Sequence, residues 1–268
     1  MIKIHEKNLP SFRRNPLDEE MMDKLKVFMS VPLSNIYQWN STLSLMKGVG
    51  AMLSDEQQRE LANAALPEKE NISWTQYQID WKKSPYRPEY VLIVAYKAEK
   101  KGLFSFAKEL VVQAFGHIEW FHIKYPETKG ESISMKEGGA NRLDAKIFAD
   151  AGGVDGLPEA LEFLPLKTLE IYNQLFETDP VIYGKRVPPL YRQIEDNETL
   201  RVGWKIRKLP KKLNKLLKLN IVGTLIKEIP PYPNITELVV ENCLVDDLSV
   251  CTKMKHLIYL FPTRLPLS

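Results

Sequence analysis

Cysteine is scarce in this sequence, and its scarcity excludes the disulfide-rich class of small secreted domains. The 268 residues contain two cysteines, Cys243 and Cys251. Two cysteines cannot supply the several disulfide bonds on which a cysteine-rich framework depends. Cys243 also falls at an inward position of the repeat described below. We therefore predict a buried free thiol at Cys243, and neither a metal ligand nor half of a disulfide bond.

Long apolar runs and an excess of charge of one sign are also missing. No run approaches the roughly 18 apolar residues of a membrane span. The start, Met1-Ile-Lys-Ile-His-Glu-Lys, has no apolar signal-peptide core. The 37 Lys and Arg residues nearly balance 34 Asp and Glu residues, and 44% of the residues are hydrophobic. We expect a cytoplasmic protein of one or two domains with no membrane partner.

The familiar catalytic motifs are absent as well. No serine lies in a nucleophile elbow, and no calcium loop or phosphate-binding glycine-lysine loop is present. His117, Glu119 and His122 lie close in sequence, but on a helix the two histidines would be five residues apart and would not share a face. Capping and turn roles explain three aspartates near a Gly-Gly pair: Asp144, Asp150 and Asp155. We expect no metal and no cofactor.

An apolar pattern that recurs every 19 residues marks the C-terminal half. Its clearest unit has apolar or small residues at positions 1, 4, 6, 9, 11 and 14, which are Leu216, Leu219, Ile221, Thr224, Ile226 and Ile229. The pattern returns at Ile235, Leu238, Val240, Cys243, Val245 and Leu248, and then at Met254, Leu257 and Tyr259. Positions 4 and 6 lie on one side of a short strand. One unit cannot cover its own apolar face, so units must stack.

This spacing resembles the leucine-rich repeat, L-x-x-L-x-L-x-x-[NC]-x-L, with Cys243 at the Asn/Cys position. Three weaker units precede the clear ones. They contain Leu166, Leu169, Ile171, Gln174 and Phe176; Ile147, Ala149, Gly152, Val154, Leu157 and Pro158; and, from near Asn197, Leu200 and Val202. The resemblance implies a short, irregular solenoid of about five to six units over 141–268. It also implies an insertion near 178–195 and a concave face lined by parallel strands.

Residues 1–140 show no repeat and predict a mixed, mainly helical domain. Asn15 and Pro16 predict a helix start, and Ser54 with Gln57 forms a capping-box pattern that starts another helix. The apolar run 90–96 predicts a buried strand. Apolar spacing predicts a further helix over 104–122. The polar stretch 125–140 is typical of a linker, so the fold class is α+β or α/β, with a domain boundary at residue 140.

The leucine-rich-repeat resemblance implies that the concave face binds another protein. The candidate contact residues lie beside the inward pair of each strand, and they are Glu170, Tyr172, Arg201, Trp204, Lys218, Asn220, Glu237 and Glu241. Tyrosine, tryptophan and arginine are the residues that most often anchor protein interfaces. The leading hypothesis is therefore a non-catalytic adaptor or inhibitor that binds a partner protein.

Three alternatives accompany this hypothesis. An enzyme would have its active site in the N-terminal domain, with His117, Glu119 and His122 as first candidates. A nucleic-acid-binding protein would use the basic segment 205–218, although lysines on an outer arc are usually only solvated. At the C-terminal edge, Ile258, Leu260 and Phe261 would be covered by the tail 262–268, would mediate self-association, or would bind a foreign partner.

Overall fold

The computed structural model describes residues 19–30, 36–49, 53–66, 87–125, 141–173, 204–241, 243–245 and 247–263. The helices are α1 (Glu19–Met29), α2 (Ile36–Val49), α3 (Asp55–Ala65), α4 (Pro88–Lys100), α5 (Phe104–Phe115) and α6 (Ala145–Asp150). The strands are β1 (Trp120–Lys124), β2 (Arg142–Asp144), β3 (Thr168–Tyr172), β4 (Lys218–Val222), β5 (Glu237–Glu241) and β6 (Tyr259–Thr263). No helix in these ranges is long and apolar enough to cross a membrane.

All six strands form one parallel sheet in the order β2-β1-β3-β4-β5-β6. Two rows of buried side chains cross strands β1, β3, β4 and β5. One row is Phe121, Leu169, Leu219 and Leu238, and the other is Ile123, Ile171, Ile221 and Val240. The strand predictions for β3, β4 and β5 are confirmed, as is a mixed fold of helices and parallel strands.

We use the term return segment for a stretch of chain that leads back from the end of one strand toward the start of the next. The buried side chains of these segments complete the core. Ile206, Ile226 and Val245 are buried on three of these segments. Neighbouring return segments are bonded to each other. The amides of Arg207 and Lys208 donate to the carbonyl of Asp155 at 2.8 and 3.1 Å. The return segments therefore cover the inward side chains of the strands while their own backbone groups bond to each other.

The N-terminal helices α4 and α5 pack on these return segments, and α4 supplies several hydrogen bonds. The Tyr96 hydroxyl bonds to the Asp155 carboxylate. Lys97 Nζ donates to the Ala151 carbonyl at 3.0 Å. The carboxylate of Glu99 accepts both the Glu159 and Ala160 amides at 2.8 Å, at the start of a short 3-10 helix (Glu159–Phe163). The sheet and the core therefore run across the boundary expected at residue 140.

Two predictions for the N-terminal half are wrong. Residues 90–96 belong to helix α4 and are not a strand. Because Val91–Tyr96 are all buried, this part of the helix is apolar on every side and lacks the polar face that marks most helices. The helix predicted to reach residue 122 ends at Phe115, and His122 lies on strand β1.

The helix-start predictions have mixed outcomes. The capping box is confirmed, since the Gln57 amide donates to Ser54 Oγ at 3.1 Å and Gln57 Oε1 accepts from the Ser54 amide at 3.0 Å. Asn15 and Pro16 lie outside the described residues. Cys243 is a free, fully buried thiol, as predicted.

Three repeat units are placed differently from the prediction. Ile147 and Ala149 lie on helix α6, and the strand next to β3 is β1. β3 and β4 pair directly, and the described part of the unit expected near Asn197, which begins at Trp204, is a return segment. Leu200 and Val202 lie outside the described residues. In β6, Leu260 aligns with the inward Leu238, where Leu257 was expected. A short 3-10 helix (Ser249–Lys253) precedes β6, and the interval from Leu238 to the aligned Leu260 is longer than the 19-residue repeat.

Gly223 provides a test of the turn after β4. Its φ is +64°, and a Cβ atom there would lie 2.2 Å from the carbonyl oxygen of Asn173. Gly102 has a similar φ of +79° but open space around it. We expect Gly223→Ala to lower the free energy of unfolding by about 3 kcal/mol or more, and Gly102→Ala by only about 1 kcal/mol. Equal losses in denaturant titrations of the two variants would contradict this account of the turn.

Glu89 gives a prediction about pH. Its carboxylate is 3% exposed and accepts the Asp144 amide at 3.0 Å, and burial raises the pKa of Glu89 to about 7. A folded-state pKa above the unfolded value means that stability is full at acid pH and is lost as pH rises through about 7. Relative to Glu89→Gln, the wild-type protein should lose about 3 kcal/mol of unfolding free energy between about pH 4 and about pH 8. Parallel pH profiles of the two proteins would disprove this.

Candidate functional site

The outward side of strands β1, β3, β4 and β5 carries six of the eight predicted contact residues, and we call it the sheet face. Strand pairing arranges its side chains in three rows. The first is Trp120, Thr168, Lys218 and Glu237; the middle is His122, Glu170, Asn220 and Val239; and the third is Lys124, Tyr172, Val222 and Glu241. Apart from the more buried Asn220, these side chains are all partly exposed.

Glu170 lies at the centre of a hydrogen-bonded cluster on the sheet face. Trp120 Nε1 donates to Glu170 Oε2 at 2.9 Å, and His122 Nδ1 lies 3.1 Å from the same oxygen. The direction of the His122–Glu170 hydrogen bond depends on the tautomer of the imidazole. The His122 ring also lies 5.1 Å from the Tyr172 ring. The cluster therefore holds two aromatic rings and an imidazole around one carboxylate.

Asn220 extends this cluster to the next strand. Its Nδ2 donates to the Tyr172 hydroxyl at 2.6 Å. Its Oδ1 is buried and has no hydrogen-bond partner among the residues that the structure describes. Burial, together with the nearby charge of Glu170, raises the pKa of Tyr172 above its ordinary value. Tyr172 is therefore a neutral hydroxyl at physiological pH and can both donate and accept.

An ion pair borders the cluster. Lys218 Nζ lies 2.8 Å from Glu237 Oε1, and the hydrogen bond to Glu237 raises the pKa of Lys218. Both side chains are about one-third exposed, so the pair contributes little to stability. The ion pair instead holds the Lys218 and Glu237 side chains in fixed positions on the sheet face.

The structure brings most of the predicted contact residues together. Six lie on the sheet face: Glu170, Tyr172, Lys218, Asn220, Glu237 and Glu241. Arg201 lies outside the described residues. Trp204 was predicted to be a surface anchor and is instead 1% exposed. Its ring stacks on Phe148 at 4.6 Å and its Nε1 donates to the Val154 carbonyl at 2.6 Å, because this stretch is a return segment and not a strand.

Sequence reasoning missed part of the site. Trp120, His122 and Lys124 belong to the sheet face but fell within or beside a predicted helix. The available signal was period-two alternation, with Phe121 and Ile123 as the buried residues between them. Asn173 was also missed. Its side chain bonds both the amide and the carbonyl of Trp204, at 3.1 and 2.7 Å, which ties the return segment to the end of β3.

The residues of the alternative hypotheses are dispersed. His117 lies beyond the end of α5, Glu119 pairs with Lys167 at 2.8 Å, and His122 points to Glu170. The described ranges contain no group of three or more His, Cys, Asp or Glu residues that could hold a metal ion. In the basic segment, six side chains are exposed on the return segment: Lys205, Arg207, Lys208, Lys211, Lys212 and Lys215.

Comparison with known proteins gives no relative from which a function could be transferred. No family model, no curated protein and no solved structure matches the chain. The functional argument therefore depends on the geometry of the sheet face and of the rest of the chain.

Two buried asparagines allow a matched test of these hydrogen bonds. Asn173 and Asn220 are 6% and 9% exposed, but only Asn173 uses both ends of its amide. Asn173→Leu should lower the free energy of unfolding by about 2 kcal/mol, because it leaves the buried Trp204 amide unpaired and leaves the Trp204 carbonyl only its bond from the Ile206 amide. Asn220→Leu should change it by about 1 kcal/mol or less, because it removes an unpaired oxygen. Equal losses of unfolding free energy for the two variants in chemical denaturation would refute these different hydrogen-bonding roles of Asn173 and Asn220.

Proposed function

We propose that this chain is a binding module of the leucine-rich-repeat type, and that its sheet face binds another protein. The repeat architecture is supported by the shared register of Leu169, Leu219 and Leu238 and by the buried return segments beside them. The Asn/Cys position of two units supports it further, because Thr224 and Cys243 are both fully buried there and Thr224 Oγ1 donates to Cys243 Sγ at 3.1 Å.

In this proposal the repeat has five units, each with one strand of the parallel sheet. β1 begins the first unit, and its return segment includes Val154 and Leu157. β3 begins the second, and its return segment includes Ile206 and Leu209. The extra chain in these two units lies between strand and return segment, over 126–150 and 174–203. The third, fourth and fifth units begin with β4, β5 and β6.

The cluster around Glu170 is the observation that carries the proposal. Its tryptophan, histidine and tyrosine are fixed by hydrogen bonds and ring contacts on a partly exposed face. Side chains that are already ordered lose less conformational entropy when a partner binds. Tryptophan and tyrosine also contribute large contact areas, which is why they dominate the binding energy of many interfaces.

The ion pair and the acidic residues give the face its selectivity. Glu170, Glu237 and Glu241 lie on it, against Lys124 and Lys218. Complementary charge chiefly selects the partner and its orientation, whereas the aromatic cluster supplies affinity. The proposed partner is therefore a folded protein that presents a matching mixed surface.

A pair of double variants tests the proposal. His122→Ala with Tyr172→Ala removes two members of the cluster without touching the buried rows. Tyr37→Ala with Phe104→Ala removes two aromatic residues that are 81% and 64% exposed on the helices. Immobilised wild-type protein and the helix variant should capture the same partner from a lysate. The sheet-face variant should bind that partner at least about tenfold more weakly, a loss typical of interface anchors.

The captured partner, once identified, should be titrated against all three proteins. Circular dichroism and thermal unfolding would establish that each variant is folded. Equal affinity of the wild-type protein and the folded sheet-face variant would reject the sheet face as the binding site.

A further inference from the structure

The carboxylate of Glu170 has one oxygen without a hydrogen bond. Both contacts of the cluster go to Oε2, from Trp120 Nε1 at 2.9 Å and from His122 Nδ1 at 3.1 Å. No described residue bonds to Oε1. The described residues have two buried side-chain polar atoms without a partner, Trp39 Nε1 and Asn220 Oδ1, and Glu170 Oε1 is not one of them. Solvent therefore reaches Oε1, and a ligand can reach it as well.

The negative charge of Glu170 is not neutralised by a basic side chain. Within the described ranges, no lysine or arginine lies at ion-pair distance from Glu170. Lys218, on the adjacent strand, is paired with Glu237 at 2.8 Å. Burial is the largest cause of the raised pKa of Tyr172, and the charges of Glu170, Glu237 and Glu241 add to it against Lys218. The cluster therefore lies in a negative field, which favours a cationic ligand and disfavours an anionic one.

Aromatic rings lie beside this carboxylate. The ring centroids of Trp120 and His122 are 5.8 Å apart, and those of His122 and Tyr172 are 5.1 Å apart. Asn220 holds the Tyr172 ring through its hydroxyl. All three rings are partly exposed, and the indole N–H of Trp120 is bonded to Glu170 itself. A cation bound at Oε1 would thus lie near an indole, the aromatic ring that attracts cations most strongly.

We propose that the Glu170 cluster binds an arginine side chain of the partner protein. This inference rests on the proposed function of the sheet face. The guanidinium donates to Glu170 Oε1 and packs its plane against the Trp120 ring. A guanidinium has only N–H donors, is always charged and stacks on aromatic rings. It therefore matches an open acceptor, an unneutralised charge and an exposed indole together.

The probe is N-acetyl-L-arginine methylamide, titrated into isotopically labelled full-length protein. The readout is the indole N–H resonance of Trp120, identified among the five tryptophans by its absence in Trp120→Phe. We expect a saturable shift of this resonance with a Kd of about 5 mM, as for a ligand the size of one residue. The titration is run at about pH 8, where an ordinary imidazole is uncharged and does not compete for the carboxylate.

Two matched probes test which property of arginine is recognised. The citrulline analogue replaces the guanidinium with an uncharged urea of nearly the same shape, and it should bind at least about fivefold more weakly. The lysine analogue keeps the charge but has a compact, strongly hydrated ammonium that gains less from the indole. It should bind at least about threefold more weakly than the arginine probe.

Two glutamate variants test the position of the site. Glu170→Gln keeps an acceptor oxygen and removes the charge, so it should weaken the arginine probe about tenfold. Glu228→Gln makes the same charge change at an exposed position on the return segment after β4, away from the sheet face, and should leave the affinity unchanged. The amide spectra establish that both variants are folded.

Four outcomes would overturn the arginine assignment. They are a Trp120 resonance that never saturates, equal binding of the arginine and citrulline probes, equal binding of the arginine and lysine probes, and equal affinities of wild-type protein and Glu170→Gln. These failures differ from a failure of the sheet face itself. In that case the double variant His122→Ala with Tyr172→Ala would retain the captured partner, whatever the arginine probe does.

Discussion

The inward pair of each strand is the constraint on which the rest of the fold depends. Leu169 and Ile171 cannot be covered by their own strand, so they require neighbouring strands and a return segment across the core. Each return segment must in turn be fastened where the strand ends. Asn173 does this at the end of β3 by bonding both backbone groups of Trp204. The inward side chains must be buried in register with those of the neighbouring strands. The outward side chains between them are therefore also aligned in regular rows.

Much of this sheet was predictable, because Leu219, Ile221, Leu238 and Val240 recur at a constant interval. The interval fails where chain is inserted within a unit. β1 and its return segment are separated by the stretch that holds β2 and α6, so Phe121 and Ile123 could not be aligned with the later pairs by counting. Counting at a fixed interval finds only units of equal length. Two strands can pair in the same register whatever the length of chain between them.

The candidate site was likewise predictable only in part. Alternation along β3, β4 and β5 identifies which side chains point outward, so Glu170, Tyr172 and Glu237 were found. The contacts among them could not be inferred, since Trp120 and His122 reach Glu170 from a strand 48 to 50 residues away in sequence. Trp204 illustrates the opposite error. Exposure was assigned from its place in a counted unit, whereas the chain uses its large ring to fill the core beside Phe148.

The two long intervals within units both leave the sheet at the same edge. One follows Tyr125 at the end of β1 and the other follows Asn173 at the end of β3, and the Tyr125 amide donates to the carbonyl of Tyr172 beside it. Loop closure costs little more as a loop lengthens, about 0.6 kcal/mol for each doubling. Chain length can therefore vary at this edge while the anchoring bonds stay intact. A longer loop inserted there would leave unchanged the buried rows that support the sheet face.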